Sequence, residues 1–277
     1  MSWLETVRST VHRWEIDSTD HFTVAYYFAR LGDAAFAMLH ALGLDPARVL
    51  TSDAYVRYQH ELRVGDIFHV ESGVIEVDAE SLLVGHKIFE SGAGTLCTTV
   101  EHRFRGTITD DARHRADAFR VEWDVPKREV RPQPHGLEGF VDAARDVVRP
   151  WEADITGGSA LSHYIHRFSA SNGHSTAAFG LTPAFYREQR RGFSTFEFQL
   201  TVDRLMRPGD LVMVKSAPLH VGNTSLRMFH QMVAVGSGVR IATLDQLGVL
   251  LDLDARRPSP MPDWMKERAR ALIPPNA

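Results

Sequence analysis

Between Trp14 and Thr23 the chain reads Trp-Glu-Ile-Asp-Ser-Thr-Asp-His-Phe-Thr, which sets two carboxylates, Asp17 and Asp20, and one imidazole, His21, just ahead of an amphipathic run. The start of a helix leaves backbone N–H groups without partners, and these favour negative charge and can hold a carbonyl oxygen or a developing oxyanion. A carboxylate beside such groups can attack an acyl carbon or activate water against it. The same residues, Asp17, Ser18, Thr19 and Asp20, equally suit an ordinary capping segment. Spacing alone leaves both readings open.

The element that must position these groups is a helix beginning at about Phe22. Its apolar residues, Phe28, Leu31, Ala35, Met38 and Leu42, alternate steps of three and four, as one buried face requires, and Gly43 closes it. Ser9 to Ile16 reads as a short strand ahead of it. Four further runs, 54–63, 67–77, 82–90 and 95–104, are rich in Val, Ile, Phe and Thr and are separated by Gly-Asp, Asp-Ala-Glu and Ser-Gly-Ala-Gly turn signals. One strand, a long helix and an antiparallel meander make an α+β unit.

That unit occurs twice. Trp14-Glu15-x-Asp17 recurs as Trp151-Glu152-x-Asp154, displaced by 137 residues, and Tyr27 and Gly43-Leu44-x-Pro46-Ala47 meet Tyr164 and Gly180-Leu181-x-Pro183-Ala184 at the same displacement. Beyond Phe185–Phe193 the displacement is 144: Arg63-x-Gly65-Asp66, His86 and Thr99 meet Arg207-x-Gly209-Asp210, His230 and Thr243. Two copies are too few for a solenoid, so a duplicated and fused chain is expected to form an intrachain pseudo-dimer. The expected divisions are 1–105, a charged and Pro-containing linker over 106–146 with a short helix near Leu137–Ala144, a second unit over 147–255, and a Pro-rich tail over 256–277 with a helix around Trp264–Leu272. In the second unit a strand is expected at Val147–Ala153 and a helix at Ser159–Ala178, followed by strands near 195–205, 212–219, 225–235 and 240–251. That helix is polar from Ser169 to Thr176, and Asn172 and Ser175 stand where the first helix has Ala35 and Met38.

The chain of 277 residues has a formal charge of -4, which gives no basic footprint for nucleic acid. No apolar run reaches membrane-spanning length and no leader pattern opens the chain, so a cytoplasmic protein is expected. Cys97 is the sole cysteine, which excludes an internal disulfide and a thiolate cluster, and its apolar run, Leu96 to Val100, suits a packed thiol. His86 shares a strand face with Leu82, Val84 and Ile88, as a core histidine would; His60 and Glu61 face either a cleft or a solvated edge. His163 and His166 lie three apart on a helix but lack a third metal ligand nearby. There is no Gly-x-Ser-x-Gly elbow, Walker loop or dinucleotide fingerprint.

Together the duplicated plan and the opening stretch resemble the double hot-dog fold, and more narrowly the thioesterases of the 4-hydroxybenzoyl-CoA thioesterase type and the betainyl-CoA thioesterase-like group. Their pattern is an Asp, a Gly-His pair three and four residues later, an Asn or Thr soon after, and a Tyr ten residues after the Asp. Asp17, His21, Thr23 and Tyr27 stand at those spacings, Asp20 replaces the Gly, Gly32-Asp33-Ala34 also fits, and the resemblance spans most of residues 9–105. It implies hydrolysis of an acyl thioester, carried by CoA or an acyl-carrier protein, with no metal or organic cofactor. Asp17 would be nucleophile or general base, His21 and Thr23 would orient the reacting groups, and N–H groups near His21 to Thr23 would polarise the carbonyl. In such folds the site lies between the halves, so Ser169 and Asn172 would wall it; Asp20, Phe22, Tyr27, His60, Glu61 and His86 complete the pocket candidates. The second half keeps Asp154 and Tyr164 but has Gly158 for His21 and Ala160 for Thr23, which implies one working site. Hydration or dehydration of an enoyl or 3-hydroxyacyl thioester, and non-catalytic acyl-CoA binding, are the competing functions. No nucleic-acid or membrane partner is expected, and a homo-oligomer of pseudo-dimers stays open.

Overall fold

Helical spacing of apolar residues after Thr23 produces α1, Val24–Ala41, whose buried face includes Phe28, Leu31, Ala35 and Met38. The structure is a computed structural model and describes residues 2–17, 19–129 and 131–275; Ser18 therefore lies outside the described residues. The helix starts at Val24 rather than near Phe22, because the Phe22 N–H is drawn to Leu62 O at 2.8 Å and the Thr23 N–H to Glu15 O at 2.9 Å. At its other end Gly43 adopts φ +71°, which lets its N–H reach His40 O while that of Leu44 reaches Leu39 O. This is the glycine-terminated ending that satisfies the last carbonyls.

The chain divides into two compact units, Met1–Arg128 with Arg149–Ile165, and Glu129–Val148 with His166–Ala277. In the first, β1 (Leu4–Thr10), β2 (Leu50–Tyr58), β3 (Ile67–Val77), β4 (Ser81–Glu90) and β5 (Thr95–Arg105) pair antiparallel in the order β1-β3-β4-β5-β2. The expected strand over Ser9–Ile16 is displaced to Leu4–Thr10, because at His12 the chain turns into a 3-10 segment, Arg13–Glu15, closed by the His12 N–H on Glu15 Oε2. Likewise β2 stops at Tyr58, since the N–H groups of Gln59 and His60 both turn to Cys97 O. Beneath α1, Ala35, Met38 and Leu42 pack with Val74, Leu82, Val84 and Phe104. Short helix α2, Asp110–Ala116, adds Ala112 and Ala116 to that cluster.

The second unit repeats the plan. Strand β6, Val141–Val147, lies 137 residues after β1 at both ends, and its bonds to β8 replace the helix expected near Leu137–Ala144 and the strand expected at Val147–Ala153. Helix α3 (Leu161–Ala177) has residues in both units, and α4 (Pro183–Glu188), capped by Thr182 Oγ1, lies where the repeat displacement changes. Strands β7 (Arg191–Val202), β8 (Leu211–Val221), β9 (Ser225–Ala234) and β10 (Arg240–Asp252) follow; the order is β7-β10-β9-β8-β6, with β11 (Arg257–Pro258) on β10. The tail helix is α5, Asp263–Ala271. Duplication extends to single hydrogen bonds: Val11 N to Asp66 O and Gly65 N to Val11 O recur as Val148 N to Asp210 O and Gly209 N to Val148 O, all 2.9 Å. Among the described residues, no helix is long and apolar enough to cross a membrane.

The segment between the units is a strap rather than a free linker. Odd-numbered residues of β4 point away from the helix-facing set, as strand alternation requires. On that outer face Gly73 and Gly85 are cross-strand partners, and a Cβ added at either would meet Val121 or Trp123 at 2.4 and 2.5 Å. Trp123 Nε1 donates to Glu101 Oε1 at 3.0 Å, Lys87 bonds Asp124 at 2.8 Å, and Arg128 bonds Asp53 at 3.0 Å. In the second unit Arg131, nearly buried, reaches Glu197 at 2.5 Å, and Arg227 donates to Pro132 O at 3.0 Å. Replacing Gly85 by Val should push Trp123 off the sheet, cost about 1–3 kcal/mol by overpacking, and open Lys127 and Arg128 to trypsin. Urea denaturation and limited proteolysis read both effects.

Candidate active site

A carboxylate followed two residues later by a threonine builds its own turn. Asp17 Oδ1 accepts from Thr19 N at 2.7 Å, Thr19 Oγ1 at 2.6 Å and His21 N at 3.2 Å. All three bonds converge on one oxygen, leaving Oδ2 outside them. Asp17 is exposed and caps this turn, not the helix, whose first residue lies seven positions later. Asp20 closes the turn at φ +63°, a left-handed conformation that glycine adopts most easily and Asp tolerates. Its counterpart in the second unit is Gly157 at φ +74°. Asp20 is thus a turn residue, exposed to solvent.

Both ends of the turn are anchored. Glu15, 2% exposed, accepts the His12 N–H on one oxygen and Arg30 Nη2 of α1 on the other at 2.6 Å. Past the turn, His21 forms an isolated antiparallel bridge with Arg63 on the β2–β3 connection. That pairing delivers Glu61: its Oε2 lies 2.9 Å from His21 Nε2 and 3.5 Å from Arg63 Nη2. His21 Nδ1 lies 3.0 Å from Thr19 Oγ1. A hydrogen-bonded row therefore runs Glu61, His21, Thr19, Asp17. Its two ends, Glu61 and Asp17, are open to solvent. The His21 ring bonded to it, aided by Arg63, holds the Glu61 carboxyl below the usual carboxylate range.

The N–H groups expected to polarise a carbonyl are taken: that of His21 by Asp17, that of Phe22 by Leu62, that of Thr23 by Glu15. Thr23 O receives Tyr26 and Tyr27, so the N–H groups for which helix geometry offers no partner are those of Val24 and Ala25. The Thr23 hydroxyl, at the N-cap, makes no capping bond, and its buried Oγ1 has no partner among the described residues. A hydroxyl and backbone N–H groups can donate to an acceptor such as a carbonyl oxygen.

Comparison of the copies separates turn from chemistry. Asp154 Oδ1 accepts from Thr156 N at 2.8 Å and from Thr156 Oγ1 at 2.5 Å, the same turn as at Asp17. Yet the position of His21 is Gly158 and that of Glu61 is Leu205. Both members of the His21–Glu61 contact are absent together while the turn persists.

Of the other candidates, Phe22 and Tyr27 are core. Their rings lie 4.7 Å apart, Phe22 is 5.6 Å from Phe68, and the Tyr27 hydroxyl accepts Leu62 N at 3.3 Å while burial pushes its pKa up. His60 is exposed and held by its backbone; Ser169 is exposed on α3, and Asn172 Oδ1 is buried without a partner. Cys97 is buried in the core with its thiol pushed up by burial. Sequence reasoning missed Thr19 as the link to His21, Arg63 as its bridge partner, and Glu15 with Arg30 as the anchor. The duplicated Trp-Glu-x-Asp motif was the available signal for Glu15.

His86 belongs to a buried polar layer under α1. Its Nδ1 is 2.7 Å from Ser72 Oγ, and its ring centroid is 5.7 Å from that of His102, which bonds Thr51 at 2.8 Å. The second unit has the same layer, with Ser216 and His230 at 2.7 Å, but Gln246 replaces His102 and bonds both His230 and Thr195. Burial holds His86 down to about 3, His230 to about 4, and His102 well below its ordinary 6.5, with His86 adding to the last. In the unfolded chain these rings take up protons below pH 6.5, whereas in the fold they stay neutral. Stability is therefore full above pH 6.5 and falls as the pH drops towards 4. His102→Gln, which copies the second unit, should keep the fold at pH 8 and lower the acid-side slope by about 1.4 kcal/mol per pH unit. Urea titrations between pH 4 and 8 check this.

A family model described as the thioesterase-like superfamily matches residues 11–128 and again 148–269. No curated protein sequence matches the chain. Among solved structures, an acyl-ACP thioesterase from Bacteroides thetaiotaomicron superposes with a TM-score of 0.66 at 12% identity, covering 87% of this chain and 96% of its own. A 12:0-ACP thioesterase from Umbellularia californica superposes with a TM-score of 0.66 at 11% identity, covering 91% and 93%. At such identities the likeness shows the fold, two tandem hot-dog units.

Proposed function

Because the chain belongs to the thioesterase-like superfamily, we propose that it hydrolyses acyl thioesters at one site, built on the Asp17–Thr23 stretch of the first unit. Thioester cleavage is the chemistry of that superfamily. The observation that carries the choice of site is the convergence of His21 and Glu61 beside the Asp17 turn, in the first copy only.

Asp17 Oδ2 has no hydrogen bond among the described residues, while the turn fixes its partner oxygen three times over. It serves as general base: it takes a proton from water as the water oxygen bonds to the acyl carbon. The Thr23 hydroxyl and the N–H groups of Val24 and Ala25 donate to the oxyanion, where preorganised donors stabilise charge most effectively. Collapse breaks the C–S bond, expels the thiolate and leaves the carboxylic acid; the thiolate then takes the proton held by Asp17. His21 orients the turn. The thiol is that of CoA or of an acyl-carrier protein; two structural neighbours are named for acyl-ACP substrates, which supports the latter.

Thiol release from a panel of acyl-CoAs and acyl-carrier proteins tests this. Asp17→Asn should lower kcat about 100-fold, whereas Asp154→Asn should leave it unchanged. Single turnover in ¹⁸O-water should put label in the product acid and none in Asp17. Loss of enoyl absorbance without thiol release would replace the reaction by hydration, and tight acyl-CoA binding without turnover would make the chain a binding module.

A further inference from the structure

Hydrogen-bond directions around His21 fix its protons. A hydroxyl has one hydrogen, and Thr19 Oγ1 spends it on the Asp17 carboxylate at 2.6 Å, since a carboxylate only accepts. Thr19 Oγ1 therefore accepts from His21 Nδ1 at 3.0 Å, which places a proton on Nδ1. At the opposite edge of the ring, Nε2 faces Glu61 Oε2 at 2.9 Å, and two acceptors cannot share that distance without a hydrogen between them. Either Glu61 carries it as a neutral acid or His21 carries it as an imidazolium. Arg63, 3.5 Å from the same Glu61 oxygen, favours the carboxylate.

We propose that Glu61 is a positioning residue that keeps His21 doubly protonated, so that the site works with a fixed positive charge beside Asp17 rather than with a second neutral base. The proposal rests on the first-unit site described above. The charged groups facing His21 are Glu61 and Arg63 from the β2–β3 connection and Asp17 from its own turn, with Asp20 exposed at the turn's outer corner. Three acids and one other cation, Arg63, thus surround the ring. Removal of Glu61 leaves His21⁺ next to Arg63 with one acid fewer, and the imidazole then gives up its proton more readily. The depressed Glu61 carboxyl agrees with this arrangement, its first cause being the bond from His21. Simultaneous absence of both residues in the second unit, where Gly158 and Leu205 stand, fits a pair that works only as a pair.

Nitrogen-15 imidazole spectra of the full chain, with the His21 signals assigned by difference against His21→Gln, read the ring directly. Both ring nitrogens should be protonated at pH 7. In Glu61→Gln the ring should lose one of its two protons at pH 7, and Glu61→Asp should restore it in part. A neutral His21 at pH 7 in the unmodified chain, or a ring that stays doubly protonated at pH 7 in Glu61→Gln, overturns the proposal. The unmodified chain alone decides the matter should Glu61→Gln not fold. Because the spectra need no substrate, they stand or fall apart from the thioesterase reading.

Discussion

One buried carboxylate fixes where the first-unit site lies. Glu15 is enclosed almost completely, and a buried acid is tolerable only when its oxygens are paired. It meets that demand with the His12 backbone on one side and Arg30 of α1 on the other, while its own carbonyl takes the Thr23 N–H. The loop from Ile16 to Phe22 is thereby tied at both ends to the central helix. Within those ties the Asp17 turn has little freedom, and His21 is left to bridge to Arg63 and meet Glu61.

Having two copies of one plan in a single chain supplies an internal control. Where the copies agree, the shared feature is architecture: the Asp-x-Thr turn, the capping box at Glu15 and Glu152, the Gly65 and Gly209 corners, the Ser–His pairs under each helix. Where they differ, one unit has released a constraint that the other retains. By that measure Asp17 owes its hydrogen bonds to turn formation, since Asp154 makes the same ones to Thr156. What the first copy holds alone is an imidazole and a carboxylate in contact at the mouth of the turn. The Thr23 hydroxyl at the N-cap adds a second difference, Ala160 standing in its place.

Much of this was legible in the chain. Helical periodicity marked α1 because its buried face is long and regular, and the duplication was visible because Trp-Glu-x-Asp and Arg-x-Gly-Asp each sit at turns that tolerate few other residues. The strand before each helix was read several residues late. Ser9 to Ile16 has strand-like composition, but Glu15 folds back on His12, and a side chain closing on backbone three residues earlier leaves no period to detect. The same oversight displaced β6, whose residues were assigned to the linker. At the candidate site, Asp17, His21 and Thr23 were singled out by the spacing of the resemblance, whereas Thr19 was seen only as a cap. Its link to His21 depends on side-chain rotation, which sequence does not encode. Glu61 stood among several cleft candidates because its partner lies forty residues away in sequence, reached through a bridge that periodicity cannot show.

The strap has a consequence for how this chain meets other molecules. Gly73 and Gly85 hollow a furrow on the back of the first sheet that Val121 and Trp123 fill, and Arg131 lies over acids on the back of the second. Broad sheet faces are the surfaces on which β-rich proteins ordinarily stack. Here side chains of the strap occupy part of the first sheet's outer face, so anything stacking at that point would first have to displace Val121 and Trp123.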